Sequence, residues 1–504
     1  MSQGSMRKQN RCKMYFSKSV DLFINPPAAV TGVVVFLLVT LLASPAIPAA
    51  APERPNIIFI LVDDLGQEWI SAYGAEDIRT PNIDRLAATG MRFQGAYSMP
   101  QCTPTRVTLL TGQYPFRHGW VNHWDVPRWG AGCHFDPKHN ITFARLLKQV
   151  GYKTAVAGKW QINDFRVQPH VLREHGFDEW CVWTGYETGN PPSAERYWDP
   201  YIFTNTTRSR TYKGKFGPDV YNDFVLDFLT RRREEPMLVY YPMALTHVPL
   251  VHTPHEPDVE TKPGKHKAMV RYTDYLVGRV VKRLYELGIR RRTIIFFTTD
   301  NGTARSITGH MHGRAVRGGK ATLLESGIWA PFIVNGPGIV PEGVVTDALT
   351  DFSDILPTFV ELAGGELPAG LAFDGKSIAP VILGKDRDGP RDWIMAMGFG
   401  PARLDEKGVR PVKDYNDRVV RDKRYKVYVQ DRRIVKLYDL KADPGEEHNL
   451  IDSRRPEHLA AKRRLAAVVA SFPERDARPR YDPLPPQPWD ITREQNEKMW
   501  RKRR

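Results

Sequence analysis

Four short apolar runs, each ending in polar or charged side chains, constrain this chain more than any other feature. Ile57-Ile58-Phe59-Ile60-Leu61-Val62 ends at Asp63-Asp64, and Thr293-Ile294-Ile295-Phe296-Phe297-Thr298-Thr299 ends at Asp300-Asn301-Gly302. Met237-Leu238-Val239-Tyr240-Tyr241 leads to Thr246-His247, and Thr154-Ala155-Val156-Ala157 leads to Gly158-Lys159. A strand that shows no alternation is apolar on both faces, the pattern of a parallel sheet covered by helices on both sides. Helical patterns fill the intervals: Thr80-Pro81 opens one that stops at Gly90, and Ser353-Asp354 opens another running to Ala363-Gly364. Met269, Tyr272, Leu276, Val280, Leu284 and Leu287 form a stripe ending at Gly288, which is core packing. The expected fold is α/β, a large, mostly parallel sheet flanked by helices over residues 52–390. Open α/β sheets bind ligands beyond the carboxyl ends of their strands, so the four polar run-ends are expected to converge.

The pattern changes after about Asp392. Arg418–Arg421, Tyr425–Val429 and Ile434–Tyr438 read as strands joined by tight turns at Asp422-Lys423 and Asp431-Arg432, and a helix follows from Pro456 to Ser471. Residues 391–473 are therefore expected to form a smaller antiparallel subdomain with one helix. The basic, Pro-rich tail 474–504 has little to bury and is expected to lie loosely on the surface. No internal repeat is present.

Residues 1–51 read as a processing signal. A basic stretch precedes an apolar run from Ala28 to Ala43, followed by small residues at Ala46, Ala49 and Ala50. The run is short for a membrane span of ~20 residues and suits a signal-peptide core. Export is expected, to the periplasm or the exterior; a membrane becomes a partner only if the segment stays uncleaved as an anchor. The formal charge of +15 over 504 residues suits anionic partners and equally suits a basic surface with two basic ends. Of the four cysteines, Cys12 lies in the signal, and Cys133 and Cys181 either pair or are buried thiols.

The most informative segment is Cys102-Thr103-Pro104-Thr105-Arg106, continuing to Thr111-Gly112. It reads as a helix start, with Thr103 as cap, Pro104 at the first position and Gly112 at the exit. Cys102 then sits at the positive end of a helix dipole among free N–H groups, with Arg106 on the first turn: a site for an anion. A buried thiol beside a capped helix accounts for the cap but not for the Cys-x-Pro-x-Arg string.

That string resembles the signature of the type I sulfatases, in the alkaline-phosphatase-like superfamily, although Thr105 stands where serine is commoner. Further segments match in family order: Asp63-Asp64-Leu65-Gly66, Gly151 to Trp160 with Lys159, Asp300-Asn301-Gly302, Arg317 to Ala321 with Lys320, and Leu437 to Leu450. The resemblance covers residues 56–450. It implies that Cys102 is oxidised to formylglycine by a maturation enzyme, and that Asp63, Asp64, Asp300, Asn301 and the residue at 102 hold one Ca²⁺. A set of oxygen ligands suits such a hard cation and argues against zinc. It further implies that Arg106, Lys159 and Lys320 offset charge on the sulfate and that His247 protonates the leaving group. In that scheme one hydroxyl of hydrated formylglycine attacks sulfur, and the other then expels sulfate.

One position departs from the family. Gln161 stands where histidine is usual, and glutamine cannot accept a proton at neutral pH. Either another group serves, with His310 and His312 near Lys320 the candidates, or release is altered. The implied substrate is a sulfated small molecule or glycan, with no nucleic-acid partner. The rivals are a phosphate- or phosphonate-ester hydrolase with the same nucleophile and a glycan-binding protein without catalysis. Trp183, Tyr186, Tyr197 and Trp198 are either sugar platforms or core aromatics, with the core reading favoured.

Overall fold

The computed structural model describes residues 54–122, 133–185, 196–205 and 208–485 apart from Phe399 and Pro401, with scattered positions beyond 485. The signal region 1–51, Tyr186 and the last four basic residues lie outside the described residues.

The four apolar runs are strands, and they are neighbours. The ten-stranded sheet runs in the order Val344–Asp351, Met91–Tyr97, Phe332–Asn335, Thr293–Thr299, Asn56–Val62, Met237–Pro242, Lys153–Lys159, Glu179–Trp183, Tyr201–Thr204 and Arg210–Thr211. From Thr293–Thr299 to Glu179–Trp183 every pairing is parallel, with Ile57 opposite Leu238 and Ile294, and Lys153 opposite Met237. Antiparallel strands follow at Phe332–Asn335 on one side and Tyr201–Thr204 on the other.

Every residue of Asn56–Val62 is buried because both faces are covered. Ile57, Phe59 and Leu61 point into one apolar cluster, shared with Leu110 and Phe359 of helices Cys102–Thr111 and Ile355–Leu362. Ile58, Ile60 and Val62 point into the other, shared with Val225 and Met269 of helices Gly217–Arg231 and Lys262–Glu286. At roughly 25 cal/mol per Å² of apolar area, such doubly covered strands dominate the stabilisation. Cys133 packs in the first cluster and Cys181 in the second; both are free thiols, and burial raises each above the ordinary thiol range. The pairing alternative therefore fails, because the two sit on opposite faces of the sheet. Trp183 and Tyr197 are fully buried, as the core reading expects, while Trp198 is only partly covered.

The second sheet is antiparallel, in the order Ile394–Met397, Arg418–Arg421, Tyr425–Gln430 and Arg433–Asp439, and helix Pro456–Ala470 packs against it. The hairpin turn at Asp431-Arg432 holds both residues at positive φ, as a two-residue turn between twisted strands requires. Ile394–Met397 was not legible as a strand: it is a short run of ordinary apolar residues without β-branched enrichment.

Two local expectations are corrected. Helix Cys102–Thr111 begins at Cys102 itself, with Gln101 as its cap, because the Gln101 carbonyl accepts the Thr105 N–H. The tail is also held in place as far as Asp482. Asp476 pairs with the buried Arg418 at 2.6 Å, Asp482 binds Lys138 and His139, and the Tyr481 hydroxyl accepts the Val409 N–H. Apolar packing joins the polar contacts: Pro479 is buried and Tyr481 lies against the main cluster and the His134 ring. Among the described residues no helix is long and apolar enough to cross a membrane.

Candidate active site

Because the central strands are parallel and adjacent, their carboxyl ends deliver Asp300-Asn301, Asp63-Asp64, Thr246-His247 and Lys159 to one edge of the sheet. Backbone bonds lock this edge. Asp300 N–H donates to Val62 O at 2.9 Å, Asp63 N–H to Leu245 O at 2.7 Å, and Thr246 N–H to Asp63 O at 2.6 Å. Two glycines permit the close approach. A Cβ on Gly158, whose φ is +114°, would lie 2.0 Å from Pro242 O, and one on Gly302 would lie 1.8 Å from Ser326 O.

The helix that carries Cys102 is tied to the same edge through its first turn. Thr105 donates its hydroxyl to Asp300 O at 2.7 Å, and Arg106 donates to Lys159 O at 3.1 Å. Cys102 Sγ and one carboxylate oxygen each of Asp63 and Asp300 lie within 4.8 Å of one another. A second group with the same spacing comprises Asp63, Asp64 and His247. Asn301 Nδ2 donates to Asp64 Oδ1 at 2.9 Å.

Cations ring these carboxylates. Lys159 Nζ is 2.7 Å from Asp63 Oδ2, Lys320 Nζ is 2.6 Å from Asp64 Oδ2, and Arg106 Nη2 is 2.7 Å from Asp300 Oδ2. Every residue of the expected nucleophile, metal and cation set is therefore here: Asp63, Asp64, Cys102, Arg106, Lys159, His247, Asp300, Asn301 and Lys320.

Burial pushes Asp63 up, but Lys159, His247, Arg106 and Lys320 outweigh it and hold it well below the usual carboxylate range. Burial and the adjacent Asp63 push Asp300 well above that range. Burial opposes the charge on Lys320, yet Asp64, Cys102 and Asp63 raise it above the ordinary lysine range. His247 is pushed well below the ordinary imidazole range by burial, then by Lys320 and Arg196. Its Nδ1 lies 2.6 Å from Val248 O and so carries the proton, leaving Nε2 toward Asp64 Oδ2 at 3.7 Å.

The residues present fit a hard divalent cation. The side chains of Asp63, Asp64, Asp300 and Asn301 offer oxygens, and Asp63 Oδ1 and Asn301 Oδ1 are buried without a hydrogen-bond partner among the described residues, as oxygens that keep a lone pair for a metal would be.

His310 and His312 do not join this cluster. His310 is 52% exposed at its side chain and bonded through Nδ1 to Asp77 at 2.8 Å. His312 packs on Gly74 and lines a cavity of 390 Å³ with Tyr73 and Arg421. The hairpin Thr308–Met311 and Arg314–Arg317 carries both toward residues 74–77, so nearness to Lys320 in sequence did not bring them to the carboxylates. Gln161 is buried with φ +60°. Sequence reasoning missed two participants. Tyr240, on the central strand Met237–Pro242, has its hydroxyl pushed up by burial while the charge of nearby Arg106 opposes this, and Arg196 reaches Asp63 Oδ2 at 3.4 Å. Tyr240 was hidden inside an apolar run; Arg196 belongs to no motif.

The family model described as Sulfatase matches residues 55–365, and that described as N-sulphoglucosamine sulphohydrolase, C-terminal, matches residues 319–470. N-acetylgalactosamine-6-sulfatase from Canis lupus familiaris is 34% identical over 380 residues, 71% of this chain and 71% of its own. Arylsulfatase A from Bos taurus is 31% identical over 479 residues, 86% of this chain and 91% of its own. Among solved structures, a sulfatase from Pseudoalteromonas sp. shares the fold with a TM-score of 0.63 at 23% identity, over 84% of this chain and 92% of that one. A protein solved in complex with its substrate D-glucosamine-2-N,6-O-disulfate does so with a TM-score of 0.64 at 21% identity, over 83% and 97%. With a family model spanning more than half its length and ordered motifs meeting at one sheet edge, this chain belongs to the type I sulfatases and is a sulfuric ester hydrolase.

Proposed function

We propose that the enzyme works through a formylglycine made from Cys102 and one Ca²⁺, on a sulfated small molecule or glycan. The observation that carries this reading is the placement of Cys102 at a helix N-terminus within 4.8 Å of the Asp63 and Asp300 carboxylates. Asp63, Asp64, Asp300, Asn301 and the oxygen at position 102 would hold the cation, which when bound lowers the pKa of a coordinated hydroxyl and polarises the sulfate.

The chain's own residues do the rest. Position 102 presents the nucleophile where helix N–H groups favour negative charge. Arg106, Lys159 and Lys320 are held by carboxylates in fixed positions, so they meet developing charge on the sulfate oxygens without reorganising. Nε2 of His247 faces the cluster; once the anionic ester counters the burial and the cations that keep the ring neutral, Nε2 takes up a proton from solvent and hands it to the leaving oxygen. Gln161 can hydrogen-bond a hydroxyl but moves no proton.

A glycan substrate is supported by the relatives, one named N-acetylgalactosamine-6-sulfatase and one solved with a sulfated glucosamine. A maturation enzyme that oxidises Cys102 and export directed by residues 1–51 belong to the same proposal. So does division of the mature chain into a catalytic part (52–390), a C-terminal subdomain (391–473) and a tail (474–504).

The test is intact-mass analysis of the peptide containing residue 102 after coexpression with a maturation enzyme, paired with release of alcohol from aryl sulfate and aryl phosphate. Conversion to the aldehyde and preference for the sulfate are expected. Full activity in protein that is entirely thiol at position 102 would sink the nucleophile, and faster phosphate turnover would replace the substrate class.

A further inference from the structure

Three cations of the site come with the family's motifs; the fourth, Arg196, comes with none. Its side chain is almost wholly buried, with 2% exposure, and its guanidinium stacks on the fully buried Trp183, Cζ lying 4.1 Å from the ring centroid. Stacking fixes the plane of the fork.

The polar edge of that fork is poorly served. Nη1 lies 3.4 Å from Asp63 Oδ2, an oxygen already taken by Lys159 at 2.7 Å. A guanidinium built to pair a carboxylate makes two parallel bonds of about 2.7–2.9 Å. Nε is buried and has no partner among the described residues. Burying a charged group with five donors is costly unless an anion meets it, and one long, shared bond does not.

The charge balance around it is also incomplete. Arg106, Lys159, Lys320 and Arg196 face only Asp63, Asp64 and Asp300 among the described residues, so the cluster is positive even before a divalent cation adds to it.

We propose that Arg196 is a substrate-binding residue of the active site, held flat on Trp183 so that its guanidinium grips the oxygens of the sulfuryl group. This rests on the sulfatase mechanism proposed above.

The test uses matured wild type, Arg196→Lys and Arg196→Gln. Three quantities are measured: aryl sulfate kinetics, inhibition by inorganic sulfate, and the rise in Tm on adding Ca²⁺. Loss of one preorganised oxyanion donor lowers kcat/KM by about 100-fold. Arg196→Gln is expected to show that loss together with weaker sulfate inhibition, partly rescued by millimolar free guanidinium, with the Ca²⁺-dependent Tm rise retained. Arg196→Lys keeps the charge but not the fork and should fall between; it carries the test if the glutamine variant does not fold. Unchanged sulfate inhibition and kcat/KM in Arg196→Lys overturn the proposal. So does a variant that loses only the Ca²⁺ response, which would make Arg196 a support for Asp63. A wild type inert toward aryl sulfate overturns the mechanism, and this proposal with it.

Discussion

Asp300 illustrates how much of this site is charge management. One carboxylate oxygen receives Arg106 at 2.7 Å, the other accepts the Asp64 N–H at 3.1 Å, and the residue's backbone oxygen takes Thr105. Asp300→Asn keeps the shape and removes the charge. Turnover should fall by about 100-fold or more, because a site that depends on a divalent cation loses a ligand charge. The Tm rise on adding Ca²⁺ should vanish with it, and a variant that keeps both would remove Asp300 from the metal set. The histidines give the opposite expectation. Since His310 is exposed and bound to Asp77, His310→Ala should leave kcat within about twofold, as substitutions away from special features do. Single-turnover kinetics check this: a burst of alcohol with delayed sulfate in His310→Ala would return that residue to the release step.

The turn after the first strand carries a second consequence. Glu68 sits in the short turn Gln67–Trp69, wholly buried, with Thr303 donating a hydrogen bond to it. Burial pushes its carboxyl from 4.5 up to about 7, and the Thr303 bond offsets only part of this. The folded value lies above the unfolded one, so the folded state binds the extra proton. Stability from this group is complete below about pH 4.5 and is lost as pH rises to about 7, at roughly 1.4 kcal/mol per pH unit. Glu68→Gln mimics the protonated form. Its Tm should fall less than that of wild type between pH 5 and pH 8. Equal slopes in the two proteins would show that Glu68 is ionised in the fold throughout. The elements themselves were legible wherever the pattern was local: the strands Asn56–Val62 and Thr293–Thr299, helix Pro81–Ala88 with its Pro and Gly boundaries, and the apolar stripe of helix Lys262–Glu286 from Met269 to its Gly288 end.

At the scale of the molecule, the tail is the part that sequence pattern misjudged. Arg418 lies on Tyr415 at 3.6 Å and is fully buried against Asp476, which also accepts from the Asn416 backbone at 2.7 Å. Removing the carboxylate strands a buried guanidinium. Asp476→Ala should therefore destabilise by about 3–5 kcal/mol. At low temperature its kcat on an aryl sulfate should stay near wild type, since Asp476 contacts none of the catalytic residues. Thermal melts and initial rates measured together decide the matter: a lost rate with an unchanged Tm would place the tail in the active site instead.

Much of the site is legible in the chain itself, because parallel strands impose a local rule. An apolar run buried on both faces must end at the sheet edge, so Asp63, Asp64, Lys159, Asp300 and Asn301 announce themselves by position. Cys102 and Arg106 do so through a helix start. Neither local rule reports which strands are neighbours; packing made the four runs adjacent and so made one site of them. Tertiary structure alone also decided the fates of Arg196, His310 and Cys133. Each depends on contacts with residues distant in sequence: Arg196 on Asp63, His310 on Asp77, and Cys133 on the face opposite Cys181. Long-range contacts leave no periodicity in the chain, and only the folded backbone brings their partners together.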